Sequence, residues 1–554
     1  MTALAEKIKQ CFLPLLISAI FFSHPVYAKS EKFDYLIRNA VVFDGDSYSP
    51  SNVDVAILDD KIAAMGKLDA SDAVHIVEGK GLVLSPGFID SHTHSDFNPL
   101  VYPDLPNKIT QGVTSEVVGN CGMSAAPVLG EQEKHICEVW SREGVDIKKP
   151  SWKTFEEYKK TILKKGLRTN FSALIGHGNL RAAVMGYSPQ PATPSEILKM
   201  KALLRESMDE GAAGISFGLI YLPGIFAQKD ELTDLCREAG RRGGVCAFHM
   251  RSEGSQLLES IQEVIDIARQ TKARIQISHL KAGGRKNWDK IDRAFELIEK
   301  ARGEGLEIEA DAYPYTATSA ELGIILPDAI YQREDRTKLF SNLLKREELI
   351  SQLRKHYQAR EMRWETIMIG VAAEKKYKKW EGKTIREISL KEGKEPERIL
   401  VELLAGNHFQ VSAFNFSQSE DVVAKVEAQT YVSVGSDSVA DGSAKPHPRA
   451  FGTFPRMFHV YVTENKILKT GELIRKMTSL PADHFRLKNR GRIKTGYFAD
   501  LVLFDAGEMQ DIADYENSSA LSKGVRWVFI NGQPVIQAGT ALKNKPGRLL
   551  APGQ

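Results

Sequence analysis

The sequence is poor in cysteine and lacks long runs of one charge. Five cysteines among 554 residues are too few for a scaffold held together by disulfides. The formal net charge is +3, and no cluster of Lys or Arg is long enough to indicate nucleic-acid binding. We therefore expect a small-molecule partner and no nucleic acid. With 42% hydrophobic residues, a chain of this length can bury a large core and form more than one domain.

An apolar run near the N-terminus is too short for a membrane span, which needs about 20 apolar residues. Lys7 and Lys9 precede this run at 11–22, and Val26-Tyr27-Ala28 offers small residues where a signal peptidase cleaves. We expect residues 1–28 to be a removed signal peptide, which predicts a periplasmic or secreted protein with no membrane attachment afterwards. Cleavage would leave four cysteines in an oxidising compartment, and the sequence leaves open whether Cys236 and Cys246 pair.

Both ends of the chain carry short alternating segments that are typical of β-hairpins. Residues 34–84 alternate between apolar and polar positions and are broken by Asp44-Gly45 and Asp59-Asp60. The same pattern returns at 500–504 and 525–532. We expect one small β-sandwich-like domain formed from residues 32–85 and 488–545.

The middle of the chain alternates between apolar strands and amphipathic helices, which predicts an α/β fold. Eight such strands indicate a (β/α)₈ TIM-type barrel over 86–487, with its active site at the carboxyl ends of the strands. An open doubly wound sheet would not explain polar groups at so many separate strand ends. A charged stretch at about 320–385 predicts an inserted helical subdomain after the seventh strand. The eight strands are expected near 87–92, 113–118, 171–176, 213–217, 244–249, 274–279, 306–311 and 431–436.

Candidate metal ligands follow these strands. His92 and His94 alternate along an extended segment, so both side chains point to one side. His249 and His279 are thirty residues apart, about one strand-plus-helix unit, and should lie at neighbouring strand ends. With Cys121 in Gly-Asn-Cys-Gly and Asp437 in Gly-Ser-Asp-Ser, the set supplies the N, S and O ligands that suit zinc.

These motifs resemble the amidohydrolase superfamily and, within it, the N-acyl-D-amino-acid deacylases (D-aminoacylases), from about residue 34 to 540. The resemblance implies that Cys121, His249 and His279 hold a tight zinc ion. It also implies that His92, His94 and Asp437 shape a second metal position, which is weak or empty in the family. The most specific stretches are 86–94 (Pro-Gly-Phe-Ile-Asp-Ser-His-Thr-His), 119–124 (Gly-Asn-Cys-Gly-Met-Ser), His279-Leu280-Lys281, Tyr313-Pro314-Tyr315 and Gly435-Ser436-Asp437.

The predicted activity is zinc-dependent hydrolysis of N-acyl-D-amino acids. Zinc lowers the pKa of bound water to about 7 and polarises an amide carbonyl. Asp437 would act as general base and then general acid. The resemblance places Lys281, Tyr221, Tyr313 and Ser319 around the substrate, where they would bind its α-carboxylate.

Two other functions remain open. A cyclic-amide hydrolase of dihydroorotase or hydantoinase type would be expected to carry a bridging lysine in place of Cys121. A non-catalytic secreted metal-binding protein would have no use for a proton shuttle at Asp437. His177 also follows a predicted strand, and its role is open. We expect the remaining histidines to be structural or exposed, namely His135, His356, His408, His447, His459 and His484.

Overall fold

The computed structural model describes residues 32–342, 344–359 and 361–553. The predicted signal peptide at 1–28 lies outside these residues. Within the described part of the chain, no helix is both long and apolar enough to cross a membrane.

Eight parallel strands form the central sheet, in sequence order around it. The first and last strands meet through hydrogen bonds at their carboxyl ends. Ser91 N–H donates to the Val434 carbonyl (3.3 Å), and Asp437 N–H donates to the His92 carbonyl (2.7 Å). The predicted barrel is therefore confirmed. Its strands are Phe88–Asp90, Val113–Val118, Asn170–Gly176, Gly214–Gly218, Val245–His249, Arg274–Ile277, Ile308–Ala312 and Val432–Val434.

Helices connect the strands, and the longer ones bury an apolar face. In Leu257–Thr271, side chains at positions 257, 261, 264, 265 and 268 are buried, which is the 3.6-residue spacing seen in the sequence. Thr154 and Thr193 each form a capping box with a glutamate three residues later, which fixes where these helices begin. The connecting helices are Asn98–Val101, Gln132–Arg142, Phe155–Lys165, His177–Met185, Pro194–Asp209, Lys229–Arg241, Leu257–Thr271 and Lys290–Gly303.

Two further sheets are built from the ends of the described chain. One has the order Lys61–Gly66, Asp54–Leu58, Phe33–Arg38, Ala73–Glu78. The other has the order Val41–Val42, Val83–Pro86, Leu501–Phe504, Val525–Ile530, Gln533–Gln537, Thr540–Ala541.

The two end sheets share one apolar core. Ile37 and Val55 from the first sheet pack with Leu84, Leu501 and Phe529 from the second. This contact is the sandwich-like arrangement that the alternating segments predict. We propose that these sheets form the small domain expected at 32–85 and 488–545, beside a barrel over 86–487.

The insertion after the seventh strand contains a sheet as well as helices. Ala317–Glu321 and Ile367–Ala372 both pair antiparallel with Val411–Phe416. Most of the charged residues at about 320–385, from which a helical segment was predicted, lie on solvated faces. The prediction missed the buried strand Val411–Phe416, which lies beyond residue 385. The insertion also contains the helices Asp328–Tyr331, Arg336–Ser341, Arg346–Ala359, Ile385–Glu392 and Pro396–Gly406.

Helices on either side of the last strand complete the barrel. Glu420–Glu427 precedes the strand, and the segments that follow it are Arg449–Arg456, Met457–Glu464 with π-helical bonding, Thr470–Met477 and Ser479–His484.

A disulfide joins Cys236, in the helix Lys229–Arg241, to Cys246 in the fifth strand. The pairing that the sequence left open is therefore present in the structure.

Candidate active site

The predicted site residues come together at the carboxyl end of the barrel. Nine of the ten line one cavity of about 500 Å³ including its open mouth. The tenth, His92, is fully buried directly beneath it. The nine are His94, Cys121, Tyr221, His249, His279, Lys281, Tyr313, Ser319 and Asp437.

Tight turns at the strand ends aim the donor atoms into this space. Cys121, His279 and Asp437 all have positive φ, at 52°, 37° and 48°. A non-glycine residue in this region is held there by its surroundings, and such residues cluster at functional sites. On the Cys121 turn, a side chain at Gly119 would overlap the Leu174 carbonyl. The Gly-Asn-Cys-Gly motif thus lets the backbone pass close to the third strand while the thiol faces the cavity.

Four donors from four strand ends converge. The Cys121 sulfur lies 3.4 Å from Nε2 of both His92 and His279. Asp437 Oδ1 lies 3.4 Å from His92 Nε2 and 3.3 Å from His94 Nε2. His92, Cys121, His279 and Asp437 each place one ligand atom within 4.8 Å of the others. This spacing suits a metal ion bound between them.

His249 belongs to a second, overlapping cluster with Glu253 and His279. The His249 and His279 rings are 4.4 Å apart at their centroids. His249 is buried, and neither of its ring nitrogens has a hydrogen-bond partner among the described residues. Burial, and then the neighbouring His279, lowers the pKa of His249 well below its ordinary value. An unpartnered, neutral, buried imidazole is ready to act as a metal ligand.

Buried carboxylates orient the histidines from behind. Asp311 Oδ1 lies 2.9 Å from His92 Nδ1 and accepts a hydrogen bond from the His279 backbone N–H at 2.7 Å. Glu253 Oε1 lies 2.7 Å from His279 Nδ1. For His92, a carboxylate on the far nitrogen favours the tautomer that leaves Nε2 free to bind a metal.

The charges in the site favour a bound cation. Burial, followed by the negative charges of Asp437 and Asp311, raises the pKa of the Cys121 thiol well above its ordinary value. A thiolate at this position therefore needs a positive ion beside it, and a metal supplies one. Burial alone would raise the pKa of Asp437. Arg449, with Nη1 2.8 Å from Asp437 Oδ2, and the nearby histidines outweigh burial and hold that pKa well below its ordinary value.

The predicted substrate residues form the wall beside these donors. Lys281 Nζ lies 2.7 Å from Glu253 Oε1 and 2.8 Å from His279 Nδ1. The Tyr313 hydroxyl is buried and has no hydrogen-bond partner among the described residues. Burial raises the pKa of Tyr313 well above its ordinary value, so this hydroxyl keeps its proton and can donate it in a hydrogen bond.

Sequence reasoning missed several residues that complete the site. Asp311 ends a predicted strand, the same signal that identified the histidines, and this position could have been found. Glu253, Glu143 and Arg449 lie in loops or next to helix ends, where no periodic pattern marks them. Arg449 is fully buried, and its guanidinium carbon lies 4.6 Å from the Tyr313 ring centre.

His177 lies apart from this cavity. Its Nε2 is 2.7 Å from Glu231, which also pairs with the buried Arg181. This buried network gives His177 a structural partner. Of the histidines expected to be structural or exposed, His447 and His484 are buried and His408 is exposed.

Comparison with known proteins identifies relatives over nearly the whole chain. The model of the Amidohydrolase family matches residues 76–536. A D-aminoacylase from Alcaligenes xylosoxydans xylosoxydans is 32% identical over 522 residues, covering 94% of this chain and 98% of that protein.

Two solved structures share the fold over the same extent. An N-acyl-D-glutamate deacylase from Bordetella bronchiseptica, complexed with zinc and a phosphonate inhibitor, superposes with a TM-score of 0.81 at 29% identity. The second structure is a D-aminoacylase with a binuclear metal center, in which one metal activates and a second metal attenuates. It superposes with a TM-score of 0.80 at 32% identity. Each comparison covers 94% of this chain and 100% of the other.

An eight-stranded barrel with metal-ligand donors and a carboxylate at its carboxyl end defines a class, the metal-dependent hydrolases. Within that class, the chain belongs to the amidohydrolase family and to its group of D-aminoacylases and N-acyl-D-amino-acid deacylases. The family predicted from the sequence motifs is confirmed.

Proposed function

We propose that this protein is a zinc-dependent hydrolase of N-acyl-D-amino acids, releasing a carboxylate and a D-amino acid. The observation that carries the proposal is the Cys121 sulfur, 3.4 Å from both His92 and His279 and facing the Asp437 carboxylate. The relatives named for zinc and for D-amino-acid substrates support it.

The metal ligands would be Cys121, His249 and His279, with His92, His94 and Asp437 beside a second, weaker position. Zinc, when bound, acidifies water and polarises the amide carbonyl. The unpartnered nitrogens of His249 and the high thiol pKa of Cys121 both fit a bound cation. The binuclear center of the related D-aminoacylase is consistent with two positions.

Asp437 is positioned to move the proton. Its Oδ2 is held by Arg449, while Oδ1 faces His92 and His94. The low pKa of Asp437 keeps it ionised before the reaction, as a general base requires. Asp437 would take the proton of the attacking water and return it to the departing amine nitrogen.

The substrate carboxylate would bind at the wall beside the metal-ligand donors. Lys281 and Arg449 supply two cations there, and Tyr313 supplies a hydroxyl donor without a partner. Charge-assisted hydrogen bonds of this kind are stronger than neutral ones. Tyr221 and Ser319 line the same cavity and would contact the rest of the substrate.

Hydrolysis of paired N-acetyl-D and N-acetyl-L amino acids, together with metal analysis of the purified protein, tests this proposal. We expect bound zinc and a clear preference for the D form. Equal rates on both forms would refute the deacylase assignment. Faster cleavage of dihydroorotate or a hydantoin would favour the cyclic-amide alternative, whose expected bridging lysine is replaced here by Cys121. Bound metal without hydrolysis of any of these would favour a metal-binding protein.

We also infer that the protein works in the periplasm or outside the cell after residues 1–28 are removed. Two observations support this: the lysine-flanked apolar run ending in Val26-Tyr27-Ala28, and the Cys236–Cys246 disulfide, a bond typical of oxidising compartments. N-terminal sequencing of exported protein should begin after Ala28. A mature chain beginning at Met1 would contradict the inference.

A further inference from the structure

One acid in the cavity has no place in the proposed reaction. Glu143 follows the helix Gln132–Arg142 and is 5% exposed, yet it lines the cavity that holds Asp437 and Tyr221. The next residue, Gly144, packs against Val371 of the insertion. Glu143 is therefore held where the insertion meets the barrel mouth.

The other charged groups of the cavity wall are already paired. Glu253 lies 2.7 Å from Lys281, and Asp437 lies 2.8 Å from Arg449. Glu143 makes no ion pair with any of the residues described. Its carboxyl accepts a backbone hydrogen bond at Glu321. The cavity thus has one unmatched acid and no unmatched lysine or arginine.

This arrangement bears on which substrates fit. The α-carboxylate of an N-acyl amino acid would use Lys281 and Arg449. A second carboxylate, on the side chain or the acyl group, would find no free cation and would lie in the same small cavity as Glu143. Once Glu143 is ionised, a desolvated pair of like charges is strongly unfavourable, whereas a donor or cation beside a buried acid is favourable.

We propose that Glu143 determines the charge specificity of the site: it admits substrates that present a cation or hydrogen-bond donor and disfavours those with a second carboxylate. This inference rests on the proposed deacylase function. It would distinguish the substrate preference of this chain from that of the relative named for N-acyl-D-glutamate. Overall identity does not make this distinction, because that relative and the relatives named D-aminoacylase are about equally identical to this chain.

The electrostatics agree with this assignment. Burial, and then Glu321 and Asp437, raises the pKa of Glu143 to about 8. The hydrogen bond from the Glu321 backbone and the positive charge of Arg449 offset this rise only in part, and a substrate cation would stabilise the ionised acid further. The experiments below are best run at pH 9, where Glu143 is ionised and a lysine side chain is still charged.

The test compares N-acetyl-D-lysine, N-acetyl-D-methionine and N-acetyl-D-glutamate by kcat/KM. We expect the wild-type ratio of lysine to glutamate substrate to exceed about tenfold, and Glu143→Gln to reduce that ratio by about tenfold or more. A second comparison, of N-(4-aminobutyryl)-D-leucine with N-succinyl-D-leucine, varies the charge of the acyl group instead of the side chain. It shows which of these two groups lies beside Glu143.

Glu131→Gln is the matched control, because it removes the same charge from an exposed site at the start of the same helix. It should leave both ratios unchanged. A wild-type preference for the second carboxylate in both arms, or ratios in Glu143→Gln equal to wild type, would overturn the inference. If the uncharged substrate N-acetyl-D-methionine is not hydrolysed either, the deacylase function on which the inference rests is overturned instead.

Discussion

At the scale of single residues, Cys121 and Asp437 occupy one cluster and have opposite electrostatic environments. Burial and carboxylates disfavour the thiolate, while Arg449 and histidines favour the Asp437 carboxylate. The thiolate therefore depends on a bound cation, and the carboxylate is ionised without one. Removing each group should then affect metal binding and turnover differently.

We expect Cys121→Ser to lower both zinc content and activity, because a soft thiolate ligand is replaced by a weak hydroxyl one. Asp437→Asn should retain zinc held by Cys121, His249 and His279, while kcat falls by roughly 10²–10⁴, the usual effect of losing a positioned acid–base group. Metal analysis and steady-state kinetics on the same preparations separate the two. Full zinc occupancy and turnover in Cys121→Ser would leave that residue a packing role only.

At the scale of strands and loops, a functional residue can be predicted from the sequence when it follows a recognisable strand. The barrel strands are apolar runs, so they and the candidate ligands at their ends, such as His249 and His279, could be located from the sequence. Glu143 and Arg449 follow no such run, yet both line the cavity together with Thr318 and Ile324 of the insertion. Their role depends on contacts between distant segments, which periodicity does not reveal.

Lys108, which also follows no apolar run, lies where the first and last strands of the barrel meet. It is buried between the first two strands, with Nζ 2.7 Å from Asp90 Oδ2, 2.9 Å from Ser436 Oγ and 2.8 Å from Ser438 Oγ. Asp90 also accepts the Ser436 backbone N–H at 2.8 Å. The lysine therefore ties the end of the first strand to the turn that carries Asp437.

Lys108→Met should lower the free energy of unfolding by about 3–5 kcal/mol, since it leaves Asp90 as an uncompensated buried charge. The measurement is urea-induced unfolding. Lys134→Met, at an exposed helical position, is the control and should change stability by less than about 0.5 kcal/mol. Adding Asp90→Asn to Lys108→Met should recover part of the loss, because the two groups are coupled. A loss below about 1 kcal/mol in the single variant would show that the lysine is not needed for closure.

At the scale of the whole molecule, stability also depends on groups far from the cavity. His484 ends the helix Ser479–His484 and is 4% exposed. Burial, and then the positive charges of Arg274 and Arg302, lowers the pKa of His484 to about 3. The same histidine in the unfolded chain has a pKa of about 6.5. Between these two values the unfolded state binds a proton that the folded state does not.

The sign of the pH effect follows from that difference. The contribution of neutral His484 to stability is complete above about pH 6.5 and is lost as the pH falls toward 3. Between pH 7.5 and 5.0 it should amount to about 2 kcal/mol. His484→Asn removes this titration, so its loss of stability over that interval should be smaller than that of the wild type by about this amount. His75→Asn, at an exposed position, should match the wild type. Urea midpoints at the two pH values measure the difference, and any constant penalty of the substitution cancels. Equal losses in His484→Asn and wild type would mean that His484 takes up its proton in the folded protein.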